Sequence, residues 1–458
     1  MYVEQLYTNC LAEAAYYIES DGEAAIIDPL RETEPYLALA EKRRAKIKYV
    51  FETHFHADFV SGHIDLARQA GASIVYGPMA NPDYQVINAR DGQEFSVGKL
   101  KLKVLHTPGH TPESACYLLF DEQGKEYSVF TGDTLFVGDV GRPDLLDGVM
   151  TKEGLAGMLY DSLNNKIKTL ADAVIVYPAH GPGSACGKNI GKETFSTIGE
   201  QKKFNYAMKD QSRAEFIAKV TEDILPPPHY FFEDARINKQ GYDPIADVLK
   251  ENKKPLTATE FTSAISGGAL VLDTREAIIF EKGFIKGAIN IGLNGQFAVW
   301  VGTLIDIKQP LVLVTQPDKE HESVLRLARV GYENIVGYLE GGIASWKGEF
   351  DYVKSISAPE LKSGKVKATE ILDVRKPGEW DVSHLKKAHF TPLADMPENI
   401  LNLDKQGTYV LYCGGGYRSM TAISLMKRAG FNNLINVNGG FSAMADAGCE
   451  LVTEEVVA

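Results

Sequence analysis

Within the first 180 residues, apolar strand-like runs keep ending in loops that carry histidine or aspartate. KIKYVFE runs into THFHADFVSGH, which sets His54, His56 and Asp58 at alternate positions. KLKLKVL alternates with a period of two and runs into HTPGHT with His110; SVF leads to TGDT with Asp133, and AVIVYP to AHG with His180. Alternate positions of an extended loop put side chains on one side, and loops held by a rigid sheet are where chemistry is usually placed. A single histidine is as readily structural as functional. A buried set of His and Asp is costly unless it is paired or bound to a metal. Structural zinc sites favour cysteine and are more local in sequence, so the set predicts a functional metal site on a sheet-rich domain. EAAIIDP and ASIVYG read as further buried strands, and HIDLARQAG as a helix closed by glycine.

At 458 residues the chain is too long for one core, and two to four domains are expected. A net charge of -13 argues against a general nucleic-acid binder. No apolar run reaches membrane-span length, and MYVEQLYTNC lacks a basic start and an apolar signal core. The five cysteines, Cys10, Cys116, Cys186, Cys413 and Cys449, are widely spaced with no CxxC pair. Reduced thiols in a cytoplasm are expected, not a disulfide framework.

From about Glu200 to Val248 the pattern turns helical, and Lys250 to Pro255 reads as a linker. Beyond it the chain repeats itself over roughly a hundred residues. ALVLDTREAIIFEKGFIKGAINI, PLVLVTQP and ARVGYENIVGYLEGGIASW align with TEILDVRKPGEWDVSHLKKAHF, YVLYCGGGYRSMTA and KRAGFNNLINVNGGFSAM. Asp273-Thr274-Arg275 matches Asp373-Val374-Arg375, and Gly341-Gly342 matches Gly439-Gly440. Buried strands alternating with helices predict parallel sheets covered on both faces. The expected domains are 1–250, 251–353 and 354–458, all α/β in class.

The ordered His and Asp motifs of the first domain resemble the metallo-β-lactamase superfamily, which implies an αββα sandwich and bound metal. Fold alone does not choose among its hydrolases, nucleases and dioxygenases. Dinuclear members usually read HxHxDH, whereas Phe59 follows Asp58 here. A phenyl ring cannot ligate, so the second metal site is expected to be impaired. What remains is His54, His110 and Asp133, a facial triad suited to non-haem Fe(II). That matches the persulfide dioxygenase branch, where the corresponding residues hold one iron. The resemblance implies one Fe(II) per chain, a small-molecule persulfide of glutathione or another thiol carrier, O2, and sulfite as product. His56, Asp58 and His180 become groups that orient ligands or meet substrate. In GRPD, Arg142 is a candidate for a carrier carboxylate, with a salt-bridged turn as the plainer reading for Asp144. Cys186, just after His180, is a candidate substrate contact. Cys10, Cys116 and Cys449 read as packing or incidental thiols, and His63 as part of a helix start. The rival reading is a zinc thioesterase like glyoxalase II, using metal-bound hydroxide on a glutathione thioester.

In the last domain YVLYCGGGYRSM reads as a strand, a tight loop and a helix. Gly414, Gly415 and Gly416 let backbone N–H groups curl around Cys413, with Tyr417, Arg418 and Ser419 completing the loop. A helix N-terminus and Arg418 favour a thiolate or persulfide there. This resembles the rhodanese active-site loop, which implies sulfane-sulfur transfer with thiosulfate formed or used. Cysteine phosphatases read C-x5-R, one residue longer. In the first repeat Thr315 stands in place of Cys413, without the glycines or the arginine, so that copy resembles an inactive rhodanese. Trp380 and His384 read as structural. A non-catalytic sulfur-sensing scaffold is the remaining alternative, and the direction of sulfur transfer and the oligomeric state, homo-oligomer included, stay open.

Overall fold

The computed structural model describes residues 1–146 and 149–453. The chain divides into two compact units. One is Met1–Val248 with the short segment Ala328–Gly331; the other is Leu249–Leu327 with the described residues from Tyr332 onward.

The first unit holds two six-stranded sheets. In chain order β1 (Tyr2–Thr8), β2 (Glu13–Ser20), β3 (Glu23–Ile27), β4 (Lys46–Glu52), β5 (Ser73–Tyr76) and β6 (Ile87–Asn88) lie side by side. The first three pair antiparallel and the rest parallel. β7 (Glu94–Val97), β8 (Leu100–His106), β9 (Ala115–Phe120), β10 (Glu126–Gly132), β11 (Ile175–Pro178) and β12 (Ser196–Thr197) form the second sheet in the same sequential order. Period-two alternation divides their side chains. Ala14, Tyr16 and Ile18 join Val75, Leu102, Tyr117 and Phe130 in the core between the sheets. Ala15 and Tyr17 face Tyr36, Ala40 and Leu66 of helices Glu34–Arg43 and His63–Ala70. Cys116 and Leu118 face Ala156, Leu159 and Phe216 of helices Lys152–Ser162 and Arg213–Thr221. Helix, sheet, sheet, helix is the αββα sandwich. Cys116 is a packing thiol here, and burial pushes it up to about 11.

The second unit contains the repeat as two five-stranded, wholly parallel sheets. In the first copy the order is β13 (Pro255–Leu256), β18 (Ile335–Leu339), β17 (Leu311–Val314), β14 (Leu270–Asp273) and β16 (Ile289–Asn290). An antiparallel pair, β15 (Phe284–Ile285) with β19 (Phe350–Asp351), flanks it. The second copy repeats this order with β20 (Lys354–Ile356), β25 (Leu434–Val437), β24 (Tyr409–Tyr412), β21 (Glu370–Asp373) and β23 (Ala388–Phe390). Its flanking pair is β22 (Ser383–Leu385) with β26 (Leu451–Thr453). Arg275 and Arg375 play the same part in each copy, clasping Asp273 and Asp373 while buried. The expected linker is shorter than its polar composition suggests. The preceding helix Ile245–Asn252 runs into it, and β13 begins at Pro255.

Candidate metal centre and sulfur-transfer loop

Each histidine loop leaves the carboxyl end of a buried strand, so the side chains converge above the sandwich edge. His54, His110 and Asp133 are buried together, with one ligand atom from each within 4.8 Å of the others. His110 Nε2 stands 3.4 Å and His54 Nε2 3.9 Å from Asp133 Oδ2. The neighbours fix which nitrogen is bare. The Thr53 hydroxyl donates to Asp28 Oδ2 at 2.8 Å, so it accepts from His54 Nδ1 at 3.0 Å. His110 Nδ1 donates to the Arg142 carbonyl at 2.7 Å. Both rings therefore turn a lone pair toward Asp133. His110 Nε2 and both Asp133 oxygens are buried without any hydrogen-bond partner, a costly state that a bound cation would relieve. Burial and the neighbouring His56, His110 and His180 hold His54 well below the usual histidine range, neutral as ligation requires.

His56 goes elsewhere. Its Nε2 lies 3.1 Å from Asp28 Oδ1 and 3.6 Å from Glu52 Oε2, inside the fold. Phe59 is fully buried against its ring, with centroids 4.4 Å apart. Asp28, Glu52 and Thr53 are site residues that the reading of the sequence overlooked. The available signal was IIDP, another buried strand that ends in an acid. Asp28 also adopts a left-handed backbone, φ 49°, a strain often found at functional sites. His63 is buried at its helix start, bonded to the Tyr84 hydroxyl at 2.7 Å.

GRPD supports the centre but not as a carboxylate receptor. The Arg142 guanidinium is occupied by Asp144, with two contacts of 2.7 Å, and by the Ala185 and Leu225 carbonyls. A substrate carboxylate would have to displace Asp144. Arg142 acts instead through its backbone: its carbonyl orients His110, and its N–H donates to the Cys186 carbonyl at 2.9 Å. Gly141 is required by close approach, because a Cβ there would lie 2.1 Å from the Asp133 carbonyl oxygen. Cys186 is buried within 4.8 Å of Asp58 and His180, and burial, with Asp58 and Asp133 nearby, pushes its thiol well up.

In the second repeat Cys413 follows β24 directly, buried, and the Gly416 N–H donates to its Sγ at 3.1 Å. Gly416 opens the helix Tyr417–Arg428, whose N-terminus favours negative charge. Arg418 is clasped by Glu379, which sequence reading did not foresee, at 2.5 and 2.8 Å. Its guanidinium flanks Gly414, where a Cβ would lie 3.3 Å from Nη2. Ser419 braces the loop through Asn436 at 2.8 Å. Tyr417 differs from its expected place. Its hydroxyl donates to the Gly292 carbonyl of the first repeat at 2.8 Å, so the ring points out of the cradle. His384 stacks on Trp380 at 3.5 Å, a structural pairing.

The Gly439-Gly440 turn closes the cradle from behind: the Phe441 N–H donates to the Cys413 carbonyl at 2.7 Å. Gly440 has φ 54°, and a Cβ would lie 2.2 Å from that carbonyl oxygen. Gly440→Ala is expected to cost at least ~1–2 kcal/mol in backbone strain alone. The measurement is a thermal melt, with Tm lower by about 4–8 °C, beside a sulfurtransferase assay reduced more than the melt explains. Wild-type values in both would mean that the glycine pair does not seat the loop.

The sandwich with its His/Asp centre and the paired parallel-sheet domains define a metallo-enzyme fused to sulfurtransferase-type modules. Residues 8–180 match the metallo-beta-lactamase superfamily, and residues 257–349 and 357–447 match the rhodanese-like domain. The human mitochondrial persulfide dioxygenase ETHE1 is 31% identical over 209 residues, 45% of this chain and 74% of that protein. The cytoplasmic hydroxyacylglutathione hydrolase of Arabidopsis thaliana is 34% identical over 179 residues, 38% of this chain and 66% of that protein. The crystal structure of a metallo-beta-lactamase from Staphylococcus aureus superposes with a TM-score of 0.66 at 33% identity, covering 74% of this chain and 98% of its own. The chain belongs to the metallo-beta-lactamase superfamily and carries two rhodanese-like domains.

Proposed function

We propose that the protein oxidises a low-molecular-weight persulfide with O2 at one iron and handles sulfane sulfur at Cys413. The observation that carries this is the donor set: His54, His110 and Asp133 bring ligand atoms within 4.8 Å of one another, with His110 Nε2 and both Asp133 oxygens buried without a hydrogen-bond partner, while His56 faces Asp28 and Glu52. Such a set suits Fe(II), and iron there would supply O2 activation, which redox-inert zinc does not. The chain's own part is positioning. Thr53 and the Arg142 carbonyl hold the two rings, the buried loops exclude water, and His180 and Asp58 border the centre on its other side at 3.5 Å from each other. A persulfide carried by glutathione or another thiol fits the relatives' chemistry, and its oxidised outer sulfur would leave as sulfite.

The glyoxalase II-like reading draws on the Arabidopsis relative. Phe59 counts against it, because the histidine its second metal needs is missing. All five cysteines are free and no helix among the described residues is long and apolar enough to cross a membrane; both fit a reducing, cytoplasmic setting. In the first repeat the Thr315 hydroxyl bonds to Glu320 at 3.3 Å. With no thiol it cannot carry sulfur, so it serves as a structural partner. Metal and product analysis of the full-length protein tests the reading. Expected are one catalytic iron per chain and sulfite from glutathione persulfide under O2. A zinc-loaded protein that hydrolyses a glutathione thioester, without O2 uptake, would overturn it.

A further inference from the structure

A carboxylate stands at the rim of a loop suited to anions. Glu379, on the short helix Pro377–Val382, grips Arg418 at 2.5 and 2.8 Å. Its Oε2 also accepts from the Lys376 N–H at 3.1 Å. The pair lies against the cradle wall: a Cβ on Gly414 would sit 3.3 Å from Arg418 Nη2 and 3.8 Å from Glu379 Oε1. Burial opposes the charge on Glu379, but Arg418 and the Lys376 N–H outweigh it and hold the carboxyl below its usual range. Glu379 is therefore ionised, and it cancels much of the Arg418 charge.

The internal repeat shows that the fold does not need this pair. At the same offset from Asp273-Thr274-Arg275, Ile279 stands in place of Glu379, and at the same offset from Thr315, Glu320 stands in place of Arg418. The first repeat still builds its five parallel strands in the same order and keeps the Arg275–Asp273 clasp. The pair is absent where the thiol is absent. We propose that Glu379 is a specificity-determining residue of the Cys413 loop: by occupying Arg418 it disfavours doubly charged sulfur donors such as thiosulfate against singly charged persulfides. Specific sites often reject the wrong partner with a repulsive element. In either loading reaction the Cys413 thiolate attacks the outer sulfur and the S–S bond breaks. Sulfite departs with the electron pair from thiosulfate, and a thiolate from a persulfide. The inference rests on the reading of Cys413 as a sulfur carrier.

Glu379→Gln keeps the shape and an oxygen acceptor but removes the charge. In the full-length variant the KM for thiosulfate, with cyanide as acceptor, is expected to fall about fivefold, the upper end for a partly exposed ion pair. The kcat, the rate of loading from cysteine persulfide and the Tm should change little. Glu379→Asp, which keeps the charge, should stay near the wild-type KM. Protection of Cys413 from iodoacetamide by sulfate, an unreactive dianion, reads anion binding without turnover when ionic strength is held fixed. Half protection should need about fivefold less sulfate in Glu379→Gln. A sulfate requirement that shifts in protein that turns over no thiosulfate would sink Cys413 as a carrier and still support anion exclusion by Glu379. A KM and a sulfate requirement that stay at the wild-type level, or rise, in Glu379→Gln would overturn that role.

Discussion

Replacing His110 with alanine is expected to remove bound iron and persulfide-dependent O2 uptake together. His110 is 1% exposed, and its Nε2 has no partner but the space facing Asp133, so the loss is of a metal donor and not of a packing contact. Altering groups that merely orient ligands already costs 10–100-fold in affinity or activity. Losing one of three ligands should cost at least about 100-fold. The fold should survive, because the loop keeps its other supports: the Gly109 N–H donates to the Thr111 carbonyl and the Thr111 N–H to Ser114 Oγ. Iron content, O2 consumption and a thermal melt of the same preparation form the measurement. A well-folded variant that still consumes O2 at the wild-type rate without iron would exclude the proposed centre. A variant that keeps its iron and loses only activity would move His110 from ligand to substrate contact.

Much of this was legible in the sequence because the signals are periodic or covalently local. Alternation in KLKLKVL announced a two-faced strand, β8, and the repeat announced two homologous domains with parallel sheets. His54, His110 and Asp133 stood out because each follows a strand directly. Two kinds of information were missing. One is the direction of a side chain from a loop. His56 shares a motif with His54, and only the buried Asp28 and Glu52 reveal that it turns inward. The other is pairing across sequence distance. Arg142 reads as an available cation until Asp144, Ala185 and Leu225 are seen to occupy it. Arg418 likewise meets Glu379, 39 residues away in sequence. Tyr417 sits inside a loop motif, yet its hydroxyl is anchored on Gly292 of the other repeat. Motif membership gave the residue and not its contact.

Cys413→Ser is expected to abolish sulfur transfer while leaving iron content and O2 uptake from a supplied persulfide largely intact. The loop presents a donor to Sγ: the Gly416 N–H lies 3.1 Å away, and the N-terminus of the helix Tyr417–Arg428 adds positive potential. A serine hydroxyl would keep the hydrogen bond but is a weak nucleophile at neutral pH and forms no persulfide. The first repeat cannot compensate, since Thr315 occupies the matching place. What accumulates then reports the direction of transfer. If Cys413 carries the sulfane sulfur, sulfite attacks the outer sulfur, the S–S bond breaks, Cys413 departs as thiolate and thiosulfate forms. The variant given glutathione persulfide and O2 should then release sulfite where the wild type releases thiosulfate. If instead thiosulfate loads Cys413 for delivery to a thiol carrier, only thiosulfate-supported O2 uptake should fail. The thiosulfate:cyanide transferase rate should drop to the uncatalysed background in either case. A variant that matches the wild type in all three assays would mean that the last domain carries no sulfur.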